Sequence, residues 1–125
     1  MSSTTQIKKL ERQRQTLIQD LLHTKHMIRG SFGTATRKCG KPNCWCAEGS
    51  GHPVKRITWT EKARSRTRAI PAADATWIKT MTDNYRRFRK NRQALRALER
   101  KINTVIDELE AKIVAVTRRQ KEYLK

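Results

Sequence analysis

The chain has 125 residues, 36% hydrophobic and 32% charged; that is too little apolar material for one round core, so an elongated, mostly helical shape is expected. Twenty-nine Lys and Arg against 11 Asp and Glu give a formal charge of +18, a self-repulsion that a polyanion relieves, which makes nucleic acid the expected partner. The start MSSTTQ offers no apolar signal core and no lipidation motif, and an odd count of three cysteines argues against a disulfide framework, so a soluble cytoplasmic chain with no membrane partner is expected.

Apolar residues at Ile7, Leu10, Leu17, Leu21 and Ile28, with Arg14 and Thr24 completing a three-four rhythm, predict a helix over 5–28. Ile18, Leu22 and Met27 widen its stripe, and Gly30 with SFGTATRKCG ends it. His23 and His26 lie three apart on this helix and read as solvated surface.

The next stretch, RKCGKPNCWCAEGSGHP, holds Cys39, Cys44, Cys46 and His52 in the spacing C-x4-C-x-C-x5-H. Zinc takes four N or S ligands in a tetrahedron, and three Cys with one His is a recurring structural set. Gly40 and Pro42 suit a tight knuckle; Cys44 and Cys46 flank Trp45 and are expected to share one side of a short extended stretch; Gly49 and Gly51 let the chain bend so that His52 closes the shell. A head of this size buries little apolar area, and metal commonly holds such modules together. Packing the thiols as small hydrophobes sits poorly with their polar, glycine-rich surroundings. For a reactive cysteine there is no C-x2-C motif and no second helix-borne base. Glu48 is the only acid in the stretch, so the metal reads as structural rather than catalytic.

KRITWT, EKA and RSRTRAI predict a β-hairpin, with Ile57 and Trp59 on one side of its first strand and Arg64, Arg66 and Arg68 sharing one face of its second. Pro71 closes the hairpin and Asp74 opens a long helix. With Ile78 at heptad position a, the d positions Met81, Phe88, Leu95, Ile102, Leu109, Val116 and Tyr123 are all apolar, a coiled-coil signal. Position a is less regular, with Arg92, Glu99 and Gln120 among its occupants. At about 1.5 Å per residue the second helix is about twice the length of the first. Folding the first back antiparallel leaves 102–123 for another chain and predicts a homo-oligomer through that segment.

The expected architecture is therefore mainly α: a long antiparallel helical hairpin or coiled coil carrying a small zinc-knuckle and β-hairpin head. Its parts are an N-terminal helix over 5–28, a cysteine-rich head over 29–71 and a coiled-coil helix over 74–123.

Positive charge gathers at the head and upper stalk. From Arg29 to Ile70 there are ten Lys or Arg against two acids, and from Arg86 to Lys101 eight against one. The candidate nucleic-acid contacts are Arg29, Arg37, Lys38, Lys41, Lys55, Arg56, Arg64, Arg66, Arg68, Arg86, Arg87, Arg89 and Lys90, with Trp45 as a ring for an unpaired base or a plug over the knuckle. DNA is expected first and RNA second, because stacking residues are few. A scaffold whose coiled coil recruits a protein partner is the alternative from another class. No paired carboxylates, phosphate loop or nucleophile constellation is visible, so no enzyme is expected.

IRGSF, KCGKPNCWCAEGSGHP, a strand with Trp59, a basic strand ending in IP, and WIKTMTDNYRRFRKNRQ together resemble a family of short bacterial and archaeal proteins of unknown function, marked by an arginine-glycine-serine element and a CGKPxCxC cluster. The resemblance covers roughly Ile28 to Arg92 and implies that Arg29, Gly30, Ser31 and the cysteine cluster are signature positions. It further implies a setting beside mobile-element genes, with a recombinase or transposase as partner. Ala63 stands in the hairpin turn where the family pattern has glycine, which leaves the turn type open.

Overall fold

The computed structural model describes residues 2–49 and 51–125. In chain order the elements are α1 (Ser3–Leu22), β1 (Ser31–Arg37), β2 (His52–Glu61), β3 (Arg64–Ala69) and α2 (Ala75–Arg119), with single 3-10 turns at Trp45–Ala47, Ala72–Asp74 and Glu122–Leu124. Two compact units result: one comprises α1 and the chain from Phe88 onward, the other Lys25–Arg87.

α1 starts where the Ser2 hydroxyl accepts the Thr5 amide at 3.2 Å, satisfying one of the unpaired donors of the first turn. It ends at Leu22, six residues before the expected boundary. The His23 ring meets the Gln19 carbonyl at 2.7 Å and the Thr24 hydroxyl donates to that of Asp20 at 3.3 Å, so side chains take up carbonyls that the helix leaves open. Beyond this point the chain is fastened to α2. The Ile28 amide donates to the Met81 carbonyl at 3.2 Å, and the Asn84 side-chain amide donates to the His26 carbonyl at 2.9 Å. These bonds replace the helical bonds that the continuing apolar rhythm would otherwise form.

The head is a three-stranded antiparallel sheet in the order β1-β2-β3, not a two-stranded hairpin. Phe32 pairs with Ile57 and Arg37 with His52, while Trp59 pairs with Arg66 and Ile57 with Arg68. The expected β2–β3 hairpin is present, closed by the two-residue turn Lys62-Ala63, in which both residues have positive φ (50° and 64°). This is the type I′ geometry, whose twist matches that of the flanking strands.

The expected long antiparallel helical hairpin or coiled coil is corrected. The chain instead has one 45-residue helix, a separate 20-residue N-terminal helix and the sheet. Within their shared unit α1 and α2 touch at isolated points: Lys112 Nζ donates to Ser3 Oγ at 3.4 Å, and Arg14 Nε lies 3.9 Å from Glu99 Oε1. Grooves of about 700 Å³ and 480 Å³ run along the two helices, lined by Leu10, Gln13 and Leu17 on α1 and by Ala94, Ala97 and Val105 on α2.

The inward stripe also departs from the heptad. Leu95, Leu98, Ile102, Val105 and Leu109 are the covered residues, with Leu98 only 7% exposed, while the expected a residues Glu99 and Ile106 face solvent. A straight helix drifts about 20° per heptad against a strict seven-residue repeat. Three heptads below Ile78 the seam has moved from a/d to d/g, so no knobs-into-holes register is maintained. Among the described residues no helix is long and apolar enough to cross a membrane.

Candidate metal centre and basic surface

β1, which is not apparent in the sequence pattern, positions the cysteine cluster. Its last residue, Arg37, lies opposite the first residue of β2, His52. The knuckle is therefore the long loop of a β1–β2 hairpin, and strand pairing brings Cys39 and His52 to the same end of the sheet. The turn is closed by the Cys44 amide on the Lys41 carbonyl at 3.2 Å, and Lys38 Nζ reaches across to the Ala47 carbonyl at 3.3 Å. Gly40 and Gly51 hold φ of 82° and 105°, a region in which any other L-residue is strained. Cys44 keeps an extended backbone, but Cys46 does not share an extended stretch with it as expected. Cys46 lies in the 3-10 turn Trp45–Ala47, where it is fully buried.

Cys39, Cys44, Cys46 and His52 sit close enough to hold a metal ion, with all four ligand atoms within 4.8 Å of one another. Cys39 Sγ and Cys46 Sγ are 3.4 Å apart, and Cys44 Sγ is 3.1 Å from His52 Nε2. Zinc with arms of about 2.3 Å to sulfur and 2.0 Å to nitrogen sets tetrahedral edges of about 3.8 Å and 3.5 Å, so the two close pairs need to part slightly and the widest, at up to 4.8 Å, to draw in by about 1 Å. Three thiolates, an imidazole and a dication leave one negative charge, which the neighbouring Lys38 and Lys41 offset. No carboxylate belongs to the group.

The protonation pattern suits a ligand set. The Cys39 thiol is lowered to about 6, chiefly because the Lys41 amide stabilises its thiolate, with Cys46 and His52 adding to the effect. Cys44 is lowered mainly by the Cys46 amide. For Cys46 the Cys39 amide favours the thiolate, but burial and the two neighbouring thiols outweigh it and push the thiol up. His52 is raised by its hydrogen bonds with Cys39 and then Cys44.

The Trp45 indole is 65% exposed and meets the His52 ring edge-on, with centroids 4.8 Å apart. It therefore braces the histidine from outside the cluster. His23 and His26 take no part in the group; the His23 ring meets the Gln19 carbonyl, and the His26 backbone carbonyl accepts from Asn84.

The expected nucleic-acid contacts fall into several local settings. Arg64, Arg66 and Arg68 lie exposed on one face of β3, and alternation with the paired register puts Lys55, Ile57, Trp59, Phe32 and, opposite Arg64, Glu61 on that same face. Arg56 is on the opposite face. Lys55 Nζ donates to Thr34 Oγ1 at 3.0 Å and lies 5.9 Å from the centre of the Phe32 ring. Arg29 precedes β1, Arg37 ends it, and Lys38 and Lys41 lie in the knuckle. Arg86 is 3.9 Å from Asp83 on α2, and Arg87, Arg89 and Lys90 follow on that helix.

Fold and site together define a small protein of two helices and an antiparallel sheet, organised at one sheet end by a Cys3His ligand group. The chain belongs to the family described as Domain of unknown function (DUF6788), which matches residues 7–80, more than half of its length. The matched region takes in most of α1, the cluster and all three strands. No match is found among curated proteins or solved structures.

Proposed function

We propose that the protein is a zinc-stabilised nucleic-acid-binding accessory protein, with DNA as its first partner. The observation that carries this reading is the juxtaposition of a four-donor ligand group with a sheet and loop bearing ten Lys or Arg against two acids. Zinc would fill the tetrahedron of Cys39, Cys44, Cys46 and His52 and supply cross-linking rather than chemistry, because four protein ligands leave no open position. Arg29, Gly30, Ser31 and the cysteine cluster serve as signature positions. Gly30 supports this assignment, since a Cβ there would lie 3.1 Å from both Ile57 Cγ1 and the Thr58 carbonyl oxygen. A place beside recombinases or transposases rests on the family resemblance.

The outer part of α2 supports self-association through 102–123. Ile106, Ile113 and Val116 are 44%, 56% and 54% exposed and continue the stripe of Leu109 at spacings of three and four. An uncovered apolar row of this kind is the usual mark of a second chain.

Two measurements test the reading. Metal analysis of the purified chain is expected to give one zinc per chain, with loss in Cys44→Ser and Cys46→Ser; less than one equivalent in well-folded wild-type protein would overturn the site. Filter binding at low salt is expected to retain DNA, and no retention of duplex or single strand would remove the nucleic-acid function.

A further inference from the structure

The cationic face of the sheet carries more than charge. Cross-strand register sets Trp59 opposite Arg66, with Arg64 and Arg68 on either side along β3. Successive same-face residues on a strand are about 7 Å apart, so the three guanidiniums form a row beside the indole. Among the described residues none of these three side chains makes an ion pair or a side-chain hydrogen bond, and all three are exposed. Trp59 is half-buried, and its Nε1 donates to Glu61 Oε2 at 3.4 Å. The ring is thereby held by its polar edge.

An edge strand often carries charge to block pairing with other chains. That role needs a single inward cation and gives no reason for an indole beside a row of three. Duplex DNA shows base edges in its grooves but keeps the faces of its bases in the stack, so it offers nothing for the indole to stack on. An unpaired strand offers both halves of what is here: a base for the ring and phosphates for the row.

We propose that this sheet face binds single-stranded nucleic acid, with a base stacked on Trp59 and the adjoining phosphates held by Arg64, Arg66 and Arg68. The inference rests on the nucleic-acid reading above and narrows it to an unpaired strand. Phe32, beneath Lys55 on the same face, offers the next ring along the track.

The test compares fluorescence anisotropy of wild-type protein, at fixed low salt, with three labelled probes: an oligothymidine 20-mer, an abasic phosphodiester strand of equal length, and a duplex. The base-bearing strand is expected to bind about tenfold or more tighter than the abasic one, since a stacked base contributes about 1–3 kcal/mol, or roughly 5- to 150-fold. Trp59→Ala should lose that margin and Trp59→Phe should keep most of it. A uridine 20-mer run alongside separates ribose from deoxyribose strands, and preference for either over its abasic counterpart supports the proposal. Equal binding of abasic and base-bearing strands overturns it while leaving phosphate-directed binding in place. Absence of binding to every probe overturns both readings. The abasic comparison needs no variant, so it holds even if Trp59→Ala fails to fold.

Discussion

Gly51 passes the backbone of Arg37 so closely that a Cβ on it would lie 2.6 Å from the Arg37 carbonyl carbon and 2.8 Å from the Lys38 nitrogen. This approach, at φ of 105°, is what sets His52 beside the cysteines. Gly51→Ala must either strain the left-handed backbone, at about 1–3 kcal/mol, or part β1 from β2. We expect lower thermal stability and at least a tenfold loss of zinc affinity, read by unfolding and by chelator competition. Wild-type values for both would show that the close approach does not govern the site.

The β2–β3 turn points the other way. Lys62 and Ala63 both hold positive φ without being glycine or asparagine, and a left-handed L-residue costs roughly 1–2 kcal/mol. Ala63→Gly is therefore expected to stabilise the protein by about 1 kcal/mol, less a little for glycine's greater freedom when unfolded. Urea denaturation checks this, and a destabilised variant would count against the type I′ turn.

Zinc affinity should rise with pH. Each ligand must be free of its proton to bind metal, so the slope equals the number of protons displaced. Near neutral pH, Cys39 is already a thiolate, with its thiol lowered to about 6, whereas Cys46 is pushed up and still carries its proton. His52 is raised by its hydrogen bonds with Cys39 and Cys44, so its proton competes with the metal to higher pH than a free imidazole's would. Below about 6 the Cys39 thiolate protonates as well, and the slope should steepen. Competition against a chromophoric chelator from pH 5 to 8 reads this directly; a flat profile would place the metal elsewhere.

The ligand group was legible because four donors in one short stretch leave few other roles, and the β2–β3 hairpin because its alternation is clean. β1 was not, because Gly33 and Ala35 occupy one face of SFGTATR and give no apolar alternation to read; its pairing is supplied by β2. The end of α1 was misplaced because Met27 and Ile28 continue its stripe, and only the bond from Ile28 to Met81 shows where they are used instead. The heptad misled for a geometric reason. Apolar residues at every d position are compatible with a seam whose partner positions slide from a to g, as Leu98 and Val105 do in place of Glu99 and Ile106.

Replacing Arg64, Arg66 and Arg68 together with Gln should weaken nucleic-acid binding and flatten its salt dependence. Each neutralised phosphate contributes about 0.7–0.9 to the slope of log affinity against log salt, so losing three contacts should reduce that slope by about 2–3. A parallel line, shifted but equally steep, would mean that these side chains do not contact phosphate.

The exposed residues Ile106, Ile113 and Val116 give the last prediction. For a 14.6 kDa chain, sedimentation should return a multiple of that mass, and Ile113→Glu with Val116→Glu should return the single-chain value. Both positions are more than half exposed within one chain, so the substitutions cost a lone chain almost nothing. A change in mass without a change in zinc content or helix content would therefore locate the interface on this row. If wild-type protein already sediments as one chain at micromolar concentration, the row is simply solvated.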